Sequence, residues 1–191
     1  EKGNRLPAFH VNGEGHVIGF QYDKNKNKIE ECHFKDKINL DAYPPINPSD
    51  YQKLVTALKA MQPDKKKDAV TTFEYNAANK LIKQIDALGN FDIFERDALQ
   101  NIVKHTDRNG KVWTFEYDNA KRLKKKTSPK IKIITNIVYD PNDAGKILSY
   151  DEVETQIETA FTHDDAGNLT DKIHGANTAE ALTQNQQYSK V

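Results

Sequence analysis

The chain has 191 residues, 28 of them Lys or Arg and 28 Asp or Glu, so its formal charges cancel; no net field draws it toward an anionic membrane or toward nucleic acid, which is not expected as a partner. The length suffices for one ordinary domain with its own core. Cys32 is the only cysteine, which excludes an internal disulfide, and no apolar run reaches the ~20 residues needed to span a bilayer.

The opening EKGNRLPAF has neither the charged start nor the apolar stretch of a signal peptide, and it lacks Met. The chain is therefore expected to be a piece of a longer protein. Residues 1–40 begin with a strand pair around Phe9, Val11, Val17, Ile18 and Phe20, which carries little charge. An unguarded strand edge invites pairing with another chain, so self-association is expected there and Val17→Lys is expected to block it. The stretch FQYDKNKNKIEECHF, 20 to 34, reads as two strands around a polar turn. His10, His16 and His33 match no standard zinc spacing and read as surface residues near a glycine turn. Asp23-Lys-Asn25-Lys-Asn27 begins like a calcium loop, but Lys28 stands where the sixth-position glycine belongs, so it too reads as a turn.

Residues 41–69 interrupt the pattern. The prolines of YPPINP favour an extended or turning backbone. Ser49 is placed to cap a helix whose Leu54, Val55, Leu58 and Met61 share one face, ending near Met61 before Pro63. With Lys65 to Lys67 following, the segment reads as an insertion, docked by its apolar stripe.

From residue 70 to 175 a unit recurs. FEYNAANKLIKQIDALGN, starting at Phe73, superposes on FERDALQNIVKHTDRNGK at Phe94 and on FEYDNAKRLKKKTSP at Phe115, at a step of 21 residues. A fixed period of that size marks a repeat architecture. Each unit holds two runs of β-branched and aromatic residues with a polar turn after each. Strands are expected at 70–75, 81–86, 91–97, 102–107 and 112–118, pairing in chain order as an antiparallel meander. Asp86 with Gly89, and Asp107 with Gly110, form turns in which the Asp side chain accepts a backbone hydrogen bond and Gly takes a positive φ. Asn76, Asp97 and Asp118 open the alternate turns, where Asn79, Gln100 and Lys121 stand in place of an easier glycine. NIVYDPNDAGKILSY, 136 to 150, reads as a looser copy with a two-residue insertion. Residues 153–161 alternate like a strand, and TAFTHDDAGNLTDKIHG repeats the motif with His163 at the Tyr place and Asp164 and Gly167 in its turn. The polar tail, 176–191, is expected to be loose or weakly helical.

Nothing along the chain resembles a nucleophile elbow or a phosphate loop. The recurring carboxylates already have a role as turn openers, so no catalytic residue, cofactor or metal is assigned and no enzyme is expected. Asp140-Pro-Asn142-Asp143-Ala144-Gly145 is read as a second turn, since Ala144 occupies a ligand position of a calcium loop. The run from Arg122 to Lys132 has six basic residues in eleven, and lysines of this kind are read first as guards on a sheet edge. The alternative is a carbohydrate-binding surface, with a cell-surface glycan as its partner, made by Tyr75, Trp113, Tyr117, Arg122, Lys124 and Lys126; Trp113, Phe115 and Tyr117 share one strand face.

Tyr117-Asp118-Asn119-Ala120-Lys121-Arg122-Leu123 and His163-Asp164-Asp165-Ala166-Gly167-Asn168-Leu169, with the companion Asp86-Ala87-Leu88-Gly89-Asn90, resemble the YD repeat of Rhs-type bacterial polymorphic toxins, teneurins and the C component of Tc toxin complexes. The resemblance is close over 70–127 and looser over about two thirds of the chain. Arg96 and His163 depart from it at the Tyr place, and three units lack the motif glycine. The resemblance implies a mainly β fold, a long antiparallel sheet spiralling into a hollow shell with one short inserted helix. It also implies a secreted or surface-displayed parent protein whose further repeats and toxin cargo are this segment's partners. Asp140-Pro141 lacks the Gly-Leu of the family's self-cleaving Asp-Pro-x-Gly-Leu segment, so that activity is not expected.

Overall fold

The computed structural model describes residues 6–44, 48–176 and 182–185. The protein is mainly β, an antiparallel meander with one inserted helix. It divides into two compact units, residues 1–93 and 94–191.

The first unit contains β1 (Phe9–Val11), β2 (Val17–Tyr22), β3 (Lys28–His33), a 3-10 turn (Leu40–Ala42), α1 (Pro48–Ala60), β4 (Ala69–Tyr75), β5 (Leu81–Ile85) and the first half of β6 (Phe91–Arg96). Each strand pairs antiparallel with the next, through short turns except between β3 and β4, which pair across the insertion. The register sets Cys32 opposite Val70, and Phe34 donates its N–H to the Val17 carbonyl, so that three strands contribute to one apolar patch. Helix α1 adds Leu58, with Leu54 and Met61 beside it, and Val17, Cys32, Phe34, Leu58 and Val70 form the core. Burying a side chain of this kind contributes roughly 1.5 to 3 kcal/mol, which explains why the insertion docks here. Asp68 closes it: the side chain is 5% exposed and accepts the N–H groups of Lys35 at 3.0 Å and Asp64 at 2.8 Å.

Two expectations change in this unit. The helix already begins at Pro48, a residue suited to a first helical position because it has no N–H to leave unpaired; Ser49 therefore lies inside the first turn and is not the cap. Val17 sits on β2, paired on both sides by β1 and β3, and is 2% exposed. A lysine there would place a charge in the core rather than guard an edge.

The second unit holds the rest of β6, then β7 (Ile102–Thr106), β8 (Val112–Tyr117), β9 (Leu123–Thr127), β10 (Ile131–Asp140), β11 (Asp143–Thr155), β12 (Glu158–His163), β13 (Leu169–His174) and β14 (Leu182–Asn185). Neighbours run β7-β8-β9-β12-β13-β14, while β10 and β11 pair only with each other. The stretch around 136–150, expected as another repeat, is thus the tip of a separate ribbon. The expected strand 153–161 is divided between β11 and β12, with Gln156 and Ile157 outside both. At that break Ser128 donates its N–H to the Ile157 carbonyl at 2.9 Å, the Ser128 hydroxyl accepts the Ile157 N–H at 2.8 Å, and Gln156 Nε2 donates to the Ser128 carbonyl at 2.9 Å. These bonds let β9 pair directly with β12, Lys126 lying opposite Thr159. The lysines on β9 therefore do not guard an edge, since β9 is covered by β8 and β12. In the tail, 182–185 form β14 against β13 rather than a loose or helical segment; 177–181 and 186–191 lie outside the described residues. All five buried core side chains belong to the first unit, whereas Trp113, Phe115 and Phe161 of the second are only half-buried.

Candidate functional site

Eight turns among the described residues share one geometry, opened by Asn12, Asp23, Asn76, Asp86, Asp97, Asp107, Asp118 and Asp164. In each, the opening residue donates its N–H to the carbonyl four residues on and accepts, on its own carbonyl, the N–H three residues on, at 2.8 to 3.1 Å. The third residue after the opener is left-handed: Gly15, Gly89, Gly110 and Gly167 in four turns, Lys26, Asn79, Gln100 and Lys121 in the other four. This is the three-residue hairpin loop, a tight turn followed by a bulge. The bulge appears as a register shift just before Tyr22, Tyr75, Tyr117 and His163.

The opener's side chain saturates the loop. Asp118 Oδ1 accepts the N–H groups of Ala120 and Arg122 at 2.9 Å, and Asp107 Oδ1 accepts those of Asn109 and Lys111 at 2.9 Å. Asp86 and Asp164 are held in the same way. A second donor often closes the ring: Asn27, Asn101 and Asn168 donate side-chain amides to Asp23, Asp97 and Asp164, and these bonds hold the three carboxyls below the usual carboxylate range. Asp118 is lowered by the Arg122 backbone N–H and then by its guanidinium, whose Nε lies 2.6 Å from Asp118 Oδ2. A carboxylate so filled with donors stays ionised and holds a loop; it is poorly suited to carry protons.

The tyrosine before the Asp has a second task that sequence reasoning missed. Tyr75 donates its hydroxyl to the carbonyl of Lys28, the first residue of β3, at 2.9 Å. Tyr117 does the same to Ile102, the first residue of β7, at 3.0 Å, and Tyr22 reaches Pro7 at 3.1 Å. The Tyr hydroxyl thus fastens the start of the preceding strand. Burial pushes the Tyr75 and Tyr117 hydroxyls up. Only the repeated Tyr-Asp pairing hinted at this role. Arg96, at the same place, donates Nη1 to the Gln100 carbonyl at 2.9 Å within its own turn.

Of the six residues considered for a ligand surface, Tyr75 belongs to the first unit and the other five to the second. Arg122 is engaged by Asp118 and by the Asp164 carbonyl at 2.8 Å, Tyr117 by Ile102, and Lys124 is exposed. Between them Lys125 links Glu116 at 2.6 Å and Glu158 at 3.4 Å across three strands. Trp113 and Lys126 do meet, the ammonium lying 4.2 Å from the ring centroid. They line a half-open groove of about 580 Å³ in the second unit. His16 and His33 face Glu14 and Glu31, at 3.6 and 2.8 Å, and no group of three metal-ligating side chains occurs among the described residues.

A side-chain-filled turn repeated along a strand meander, with Tyr22, Tyr75 and Tyr117 each tied to an earlier carbonyl, defines a structural repeat protein. Residues 96–130 match the family model described as RHS Repeat. No curated protein matches the sequence. Among solved structures, a crystal structure of TcdB2-TccC3-TEV aligns over 88% of this chain and 8% of that chain, at 14% identity and a TM-score of 0.43. The Photorhabdus luminescens Tc holotoxin pore with mutated TccC3 aligns over 90% and 12%, at 14% identity and 0.28. The TcdB2-TccC3 crystal structure aligns over 88% and 12%, at 14% identity and 0.29. The chain thus spans about a tenth of the length of the solved chains it matches.

Proposed function

We propose that the chain is a non-catalytic length of wall in an Rhs-type shell, part of a secreted or surface-displayed protein, serving to enclose a toxin or to meet another cell. The observation that carries this reading is the fate of the repeated polar side chains. The turn carboxylates and the tyrosine hydroxyls are bound to the protein's own backbone, so their recurrence is explained by building strands. In this reading residues 1–191 are one YD-repeat region interrupted twice, by the insertion at 41–69 and by the β10–β11 ribbon. A carbohydrate surface has less support, because Tyr117, Arg122 and Tyr75 are spent on structure. Among the described residues no helix is long and apolar enough to cross a membrane.

The test uses the longest gene product that contains this segment. Asp107→Ala with Gly110→Ala loosens one hairpin, and limited proteolysis then follows the enclosed region while its activity is assayed after release. Faster cleavage with unchanged released activity supports a wall. Unchanged protection, or loss of a turnover with unaltered melting, would refute it.

A further inference from the structure

Four strands build the groove beside Trp113. Lys126 on β9 lies opposite Thr159 on β12, Thr159 lies opposite His174 on β13, and Phe161 lies opposite Lys172, so these side chains share one face with Trp113 of β8. Pro129 and Ile157, at the base of the β10–β11 ribbon, close one end. The floor is apolar, formed by Trp113, Pro129, Ile157 and Phe161, whereas Lys111, Lys126, Lys130 and Lys172 stand around it. No carboxylate pairs with any of these four among the described residues, unlike neighbouring Lys125 and Arg122. The acidic lining residue, Asp107, has its Oδ1 filled by two backbone N–H groups.

From this arrangement we propose that the groove is a binding site for a small amphipathic anion: a carboxylate or sulfonate on an aromatic or alkyl body. The two halves of the site select the two halves of the ligand. A bare sugar or inorganic phosphate would leave the apolar floor covered by water, and a neutral hydrocarbon would leave four ammonium groups without a counter-charge. The floor supplies area for an apolar body and the lysines supply the sign of its head group. The volume is that of an ordinary small-molecule site. Lys126 is already held over Trp113, so an anion meets an ordered cation there. The site does not depend on the wall reading: Asp107 and Lys111 belong to both the groove and a turn, but the turn uses their backbone and the Asp107 carboxylate, not the Lys111 ammonium.

Trp113 is the only tryptophan, so its emission reports on this groove. Anilinonaphthalene sulfonate is titrated against the intact chain and read by energy transfer from Trp113, beside phenylnaphthylamine, which has the same body without the sulfonate. The sulfonate is expected to saturate at one site and to bind about tenfold tighter than the neutral dye, with the difference shrinking at high salt. K172Q and K130Q should each weaken it by about two- to fivefold without altering the melting temperature, as removal of one exposed charge contact does. Dodecanoate should displace it. Equal binding of the two dyes, or binding indifferent to both lysine substitutions, would overturn the proposal. So would displacement by a sulfated hexasaccharide or an acidic Phe-containing peptide at lower concentration than by dodecanoate, since the site would then belong to a glycan or a protein partner.

Discussion

Replacing Lys121 by glycine is expected to stabilise the second unit, although it deletes a side chain. Lys121 holds φ at 63°, where the Cβ of an L residue crowds the backbone at a cost of roughly 1 to 2 kcal/mol. Glycine removes that strain but adds freedom to the unfolded chain, offsetting about 0.5 to 1 kcal/mol of the gain. The expected net effect is about 0.5 to 1 kcal/mol of stabilisation, or about 1 to 4 °C in Tm for a chain of this size. Lys121→Ala isolates the backbone effect, because it keeps the Cβ and loses only the ammonium, which helps hold Asp97 ionised. The reciprocal change is Gly110→Ala, at the same place in the next kind of turn, with φ at 73° and nothing within 4 Å of an added Cβ. It should destabilise by about 1 kcal/mol through backbone strain alone. Urea unfolding followed by Trp113 emission measures all three variants. If Lys121→Gly is no more stable than Lys121→Ala, or if Gly110→Ala costs nothing, the left-handed position is not what distinguishes the turns.

Tyr117→Phe keeps the ring and removes the bond to the Ile102 carbonyl; it should cost about 0.5 to 1.5 kcal/mol and speed amide exchange at the start of β7, and unchanged exchange there would remove the strand-fastening role. Acid should unfold the protein through its turns: Asp23, Asp97, Asp118 and Asp164 all lie below the usual value of 3.8 when folded, so the unfolded chain binds more protons below that value. Stability is then fully present above about pH 5 and falls as pH drops through 3.8 and on through the lower native values; denaturation midpoints that rise from pH 5 to pH 3 would contradict this. Cys32, 2% exposed and pushed up to about 11 by burial and then by Asp68 and Glu30, should resist thiol reagents at pH 8 until the first unit opens, and labelling of the native protein at the rate of a free thiol would show that the core is not closed.

The sequence carried what depends on neighbours along the chain. The step from Phe73 to Phe94 to Phe115 and the Asp or Asn at each turn, with Gly three residues later in some of them, determined where strands stop and, because a three-residue loop returns the chain beside itself, which strands pair. Helix α1 and its apolar stripe were legible for the same reason, since Leu54, Leu58 and Met61 repeat at helical spacing. The carboxylate roles were legible too, as local bonds within five residues. Tertiary structure decided the rest. Val17 reads as an edge residue until β1 covers one side of it and the distant Val70 and Leu58 cover its face. The lysines of β9 read as edge guards because nothing nearby announces that β12, more than thirty residues on, will lie against them. That pairing depends on Ser128 and Gln156 closing the base of the ribbon, and it brings Phe161 and Lys172 to Trp113. Bonds between residues far apart in the chain leave no period and no spacing to read, because loop closure permits many partners and only the packed sheet selects one.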